Sequence, residues 1–76
     1  MDRVTSKPEI MSGKPIIKGT RITVEYILDL LASGMTPKEI CLEHPQLTLE
    51  DIRAAIEYAN KLLKDTEVYP AQAATL

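Results

Sequence analysis

From residue 22 onward one local pattern recurs three times along the chain: a large apolar residue, Thr, three residues, then Ile. The copies read ITVEYI, MTPKEI and LTLEDI. In each, Thr suits a helix N-cap, its hydroxyl accepting an orphan N–H of the first turn, while the apolar residue before it packs on the Ile at the fourth helical position. The second copy adds Pro37 at the first helical position and Glu39 at the third, which completes a capping box. The third has Asp51 where Glu is usual. Helix starts are therefore predicted after Thr23, Thr36 and Thr48, and the unequal segments that follow make these three capped helices rather than an internal repeat.

Apolar spacing sets the extents. The first helix is predicted over Val24 to Ser33, with Val24, Ile27, Leu28 and Leu31 on one face and Gly34 as a left-handed stop. The second runs from Pro37 to about Glu43, directs Ile40, Cys41 and Leu42 inward, and ends ahead of Pro45 because a residue before proline avoids the helical region. The third, Leu49 to about Lys64, carries Ile52, Ala55, Ile56, Ala59, Leu62 and Leu63 at helical spacing. Ahead of Thr23 the β-branched Ile16, Ile17 and Ile22 sit among Gly13, Pro15 and Gly19, a pattern of short strands and turns, with Arg3 to Thr5 as a further strand. The predicted fold is mainly α, three helices with a short N-terminal β arm. Residues 1–23 form the arm, 24–64 the trihelical bundle and 65–76 a tail without a clear period, in which Val68 and Tyr69 are packing candidates and the last residues are expected to be mobile.

Length adds a constraint. A chain of 76 residues has room for one small core of marginal stability, and a lone two-stranded ribbon has little of its own chain to rest on. A homodimer with the arm paired between subunits is the expectation. Neither an apolar run long enough to cross a bilayer nor a signal-peptide pattern is found, so the reading is a soluble cytoplasmic protein without a membrane contact. Cys41 is the lone cysteine and His44 the lone histidine, which excludes an internal disulfide and a four-ligand zinc site.

Charge sharpens the picture. The net charge of -2 conceals an arm bearing Arg3, Lys7, Lys14, Lys18 and Arg21 against Asp2 and Glu9, followed by a body in which four cations face nine acidic residues. The two parts are suited to different surroundings. Three short capped helices suggest a helix-turn-helix domain in which the third helix is offered to a major groove, with Arg53, Asn60, Lys61 and Lys64 on it and Lys38 on the preceding helix as candidates for nucleic-acid contact. Glu50 and Asp51 oppose this, since both would repel phosphates at the end that usually reads bases, although acids there are also explained by capping and the helix dipole. Lys14, Lys18 and Arg21 suit either phosphates or a carboxylate-lined surface on another protein, or serve as solvated strand-edge cations. Thr20 either bonds locally or donates to a ligand.

No catalytic pattern is found. GKPIIKGT lacks the order of a phosphate-binding P-loop because Lys18 occupies the position of its second Gly. Cys41 reads as a buried thiol, His44 as a helix-end residue, and the carboxylates are dispersed. Tyr26 and Tyr58 read as core or interface residues. The expectation is a non-enzyme that needs no cofactor or metal.

The run GKPIIKGTRITVEYILDLLASGMTPKEICLEHPQLTLEDIRAAIEYA closely resembles the bacterial and archaeal family of uncharacterised domains numbered four hundred and thirty-three, over roughly Val4 to Leu63. Its most specific pieces are Gly13 to Pro15, Gly19 to Thr23, Ser33 to Met35, His44 to Thr48, and Asp51-Ile52 followed by Tyr58-Ala59. The resemblance implies a homeodomain-like trihelical fold with a β arm. It also implies an antitoxin-like role beside a small PIN-like nuclease toxin, and it brings no established catalytic residues. Three readings stand at this point: a dimeric adaptor that masks such a toxin through Lys14, Lys18, Thr20 and Arg21 while binding operator DNA, a stand-alone DNA-binding regulator, and a plain dimerisation module.

Overall fold

The computed structural model describes residues 3–66. Strand β1 (Val4–Thr5) pairs antiparallel with β2 (Ile16–Ile17), Val4 opposite Ile17 and Thr5 opposite Ile16, and Ile16 also bridges to Thr23. Helices α1 (Val24–Ala32), α2 (Pro37–Glu43) and α3 (Leu49–Thr66) follow. The description is thus a three-helix bundle carrying a short N-terminal β-hairpin. The expectations for residues 67–76 lie outside the described residues.

All three helix starts are built as the pattern predicts. Thr23 Oγ1 accepts the Tyr26 N–H at 2.9 Å. At α2, Thr36 Oγ1 accepts from the Glu39 N–H at 3.1 Å while Glu39 Oε1 accepts the Thr36 N–H at 2.9 Å. At α3 the same reciprocal bonds form with Asp in place of Glu, Thr48 N–H to Asp51 Oδ2 at 3.0 Å and Asp51 N–H to Thr48 Oγ1 at 3.2 Å. The staple partners Ile22 and Ile27, Met35 and Ile40, and Leu47 and Ile52 all belong to one apolar cluster. Helix α1 ends one residue early, with Ser33 as C-cap and Gly34 at φ 104°. The Gly34 N–H reaches Leu31 O at 3.0 Å and the Met35 N–H reaches Leu30 O at 3.2 Å, the pair of bonds of a Schellman stop.

The core is mostly isoleucine. Ile17, Val24, Ile27, Ile40, Leu47, Ile52 and Ala55 form the buried cluster, with Val4, Leu28, Leu30, Leu31, Cys41 and Tyr58 packed around it. Each fully buried Ile contributes about 1.5–3 kcal/mol relative to leaving it in water. The hairpin shares this core, for Ile16 and Ile17 are only 1% and 2% exposed. That corrects the premise that the arm lacks support from its own chain: β1 pairs with β2 and the ribbon lies on the bundle within one chain.

Four apolar assignments are also corrected. Leu42 is 77% exposed rather than inward, since a helix as short as α2 turns one narrow face to the bundle and Ile40 occupies it. Ile56, Leu62 and Leu63 are exposed, and Ala54 is buried in their stead. For Ile56 the reason is the face: Asp51, Ile52, Ala54 and Ala55 are turned inward and Ile56 falls beyond the edge of that stripe. For Leu62 and Leu63 it is length: eighteen residues make α3 about 27 Å long, while the nine of α1 span about 14 Å, so the far end of α3 outruns the helix beside it. A further irregularity lies between the strands, where Met11, Ser12 and Gly13 all have positive φ in a short left-handed turn.

Candidate functional site

The cations of the arm are presented by a tight turn. Ile17 O accepts the Thr20 N–H at 3.0 Å, and Gly19 at φ 85° supplies the conformation that the third position of a type II turn requires. The Ile17 N–H closes the base of the loop on Ile22 O at 2.9 Å. Thr20 then locks it from the side: its hydroxyl donates to Ile17 O at 2.8 Å and accepts the Ile22 N–H at 2.9 Å. Its one proton is committed, so Thr20 positions Lys18 and Arg21 rather than offering a free donor. Lys18, whose N–H donates to Arg3 O at 2.8 Å, sits at the exposed corner of this turn, with Arg21 exposed beside it. Neither side chain forms an ion pair with a described residue. Lys14 differs, since its Nζ lies 3.0 Å from Glu25 Oε1 in an exposed pair.

The α3 candidates are arranged differently. Arg53, Asn60 and Lys64 recur at seven- and four-residue steps and share one exposed stripe with Glu57, while Lys61 is exposed on the adjoining one. Arg53 Nε stands 3.7 Å from Glu57 Oε2, so the stripe mixes both signs. Lys38 is exposed in the first turn of α2, away from that stripe in sequence and on another helix.

Asp51 is not offered outward at all. It is 6% exposed, and besides capping α3 its Oδ1 accepts a hydrogen bond from Arg3 Nη1 at 3.0 Å. The acidic helix start is thus half neutralised by the arm, and only Glu50 of that pair faces solvent. Sequence reasoning missed this bond because its ends lie 48 residues apart and carry no local signal. It also missed the contact between Tyr26 and His44, whose Oη and Nε2 are 3.4 Å apart with the rings edge to face at 5.6 Å. His44 closes α2, its N–H donating to Ile40 O at 2.9 Å, and Cys41 is a half-buried free thiol against the core.

Among the described residues no group of three or more His, Cys, Asp or Glu could hold a metal ion, and no helix is long and apolar enough to cross a membrane. What the arrangement presents is two exposed cations, Lys18 and Arg21, on a hydrogen-bonded turn.

Comparison with known proteins gives the chain relatives. Residues 4–59 match the family model described as "Protein of unknown function (DUF433)", ending at residue 59 rather than at Leu63. Over 56 residues the chain is 38% identical to "Uncharacterized protein y4eO" of Sinorhizobium fredii (strain NBRC 101917 / NGR234), a match that covers 74% of this chain and 25% of that protein. The chain therefore spans about a quarter of that curated relative. Its fold is similar to the crystal structure of a DUF433 member protein from Anabaena variabilis ATCC 29413, with a TM-score of 0.78 and 28% identity over 86% of this chain and 64% of that one. With most of its length matched by the family model, and the solved structure agreeing in fold, the chain belongs to the DUF433 family.

Proposed function

We propose that the chain is a non-catalytic, antitoxin-like adaptor that pairs with a second copy of itself and masks a carboxylate-lined PIN-like nuclease with the cations of its arm. The observation that carries this reading is the turn at Ile17 to Thr20, fixed by four hydrogen bonds, which holds Lys18 and Arg21 exposed and without an ion pair to any described residue. An arginine in this setting can make paired hydrogen bonds to a carboxylate, and a rigid mount lowers the ordering cost of doing so. Leu49 and Ile56, exposed and seven residues apart on α3, support pairing of copies. The test is capture of a co-expressed PIN-like nuclease by the tagged chain after nuclease treatment to remove bridging nucleic acid. K18E/R21E should lose the partner while its helical circular dichroism stays unchanged; undiminished capture by that variant would sink the reading.

One observation favours a second reading, in which α2 and α3 act as a homeodomain-like helix-turn-helix on operator DNA. The Arg3–Asp51 bond removes half of the acidic start that argued against it. In that case Arg53→Ala or Lys61→Ala should weaken binding to a selected duplex and flatten its salt dependence by about one unit of slope each.

A further inference from the structure

A cleft of about 430 Å³ opens between the arm and the loop joining α2 to α3, and its chemistry differs from that of the clefts beside α1, which carry Glu25 and Asp29. Lys7 and Arg21 line it from two parts of the arm, Gln46 from the interhelical loop and Thr5 from β1, while Ile10 and Ile16 give it apolar wall. No carboxylate lines it. In a chain with eleven acidic residues against nine basic ones, a cleft lined by two cations and no acid departs from the background. The contrast is local: a second cleft of about 380 Å³, also lined by Arg21, contains Glu25 and Asp29 together with Lys14.

We propose that this cleft is a binding site for a phosphate group carried by a nucleic-acid backbone or by a free nucleotide. Lys7 and Arg21 make no ion pair with a described residue, so no described carboxylate offsets their charge at the cleft. A guanidinium fork and an ammonium offer the planar bidentate and the point-charge mode of phosphate binding respectively, and the Gln46 amide adds a neutral donor. The apolar wall of Ile10 and Ile16 lowers the local dielectric and strengthens both attractions. The volume lies within the usual range for small-ligand clefts, about 300–1,000 Å³, and leaves room for part of a nucleoside beside the phosphate. This site goes beyond the adaptor reading, because it uses Lys7 and Gln46, which that reading leaves idle, and shares only Arg21 with it.

The experiment is an amide NMR titration of the full chain with three probes at constant ionic strength: inorganic phosphate, ADP and a short duplex of arbitrary sequence. Saturable shifts at Thr5, Gly19 and Gln46 are expected with a phosphate-bearing probe, and Lys7→Glu should abolish them. Lys7 is exposed and its backbone carbonyl alone joins the adjoining turn, so the variant leaves the backbone bonds in place. If the duplex saturates these amides, and repeating its titration over a series of salt concentrations gives a log–log slope that Lys7→Ala reduces by about 0.9, the source is the phosphodiester backbone. If ADP saturates them and the duplex does not, the source is a nucleotide. Shifts matched by chloride at equal ionic strength, or a Lys7→Glu variant that titrates like the parent, would overturn the site. Because Lys7 lies outside the toxin-masking residues, loss of phosphate binding in this variant and loss of nuclease capture are separate results.

Discussion

Replacing Asp51 with Ala removes three interactions from the start of α3 at once. The Thr48 N–H loses its acceptor at 3.0 Å, which by analogy with lost helix caps costs about 1 kcal/mol. A negative charge leaves the first turn, where it is favoured by the helix dipole by roughly 0.5 kcal/mol. Arg3 loses a hydrogen-bonded carboxylate at 3.0 Å; since the carboxylate is buried but the Arg3 side chain is 48% exposed, this bond is worth about 1 kcal/mol, between a surface pair and a desolvated one. Together the loss is about 2.5 kcal/mol, or a fall of about 10–20 °C in Tm for a domain of this size. Urea unfolding followed by far-ultraviolet circular dichroism measures it directly. Arg3→Ala should cost about 1 kcal/mol alone and almost nothing further in the Asp51→Ala background, because its partner is already gone. A loss below about 0.5 kcal/mol for Asp51→Ala, or strict additivity of the two substitutions, would refute the account of α3's start as a capping site tied to the arm.

Three further outcomes are expected. Gly19→Ala meets no atom within 4 Å, so its cost is backbone strain at φ 85° alone, about 1 kcal/mol in the same urea assay. Thr20→Val strips the arm turn of both side-chain hydrogen bonds and leaves the Ile22 N–H unpaired; about 1–2 kcal/mol is lost, and Thr20→Ser restores it, whereas a Ser variant as weak as Val would mean that the hydroxyl does not hold the turn. Ile27→Ala opens a cavity in the centre of the core and costs about 2–5 kcal/mol, while Leu42→Ser changes stability by less than about 0.5 kcal/mol; near-equal effects would contradict the inward and outward placement of these two residues.

What could be read from the sequence was what is decided within a few residues. Thr23, Thr36 and Thr48 each cap their helix through a partner three residues on, and Gly34 stops α1 with its N–H on Leu31 O and that of Met35 on Leu30 O, so all four signals are local. Leu42 was misplaced because seven residues are too few for an apolar period to choose between neighbouring faces. Leu62 and Leu63 follow the helical period correctly, but the period does not say where the packing partner ends; Ile56 sits at the edge of the stripe, and the apolar Ala54 on its other side takes the inward place. The hairpin's seat on the bundle and the Arg3–Asp51 bond join distant parts of the chain, so nothing in the local pattern encodes them. The candidate cations were found by type, and Lys18 and Arg21 do share one turn. The cleft holding Lys7, Arg21 and Gln46 needed the fold, because it gathers residues from three separate segments.

The burial of Ile16 and Ile17 bears on how the molecule opens. Lifting the ribbon off the bundle exposes two isoleucines at about 1.5–3 kcal/mol each, a sum comparable to the entire stability of many domains this small. Peeling and unfolding then become one cooperative event instead of two. Amide hydrogen exchange at Ile17 should accordingly run at the rate of the central helix residues, which makes the arm part of the same foldon as α1 and α3.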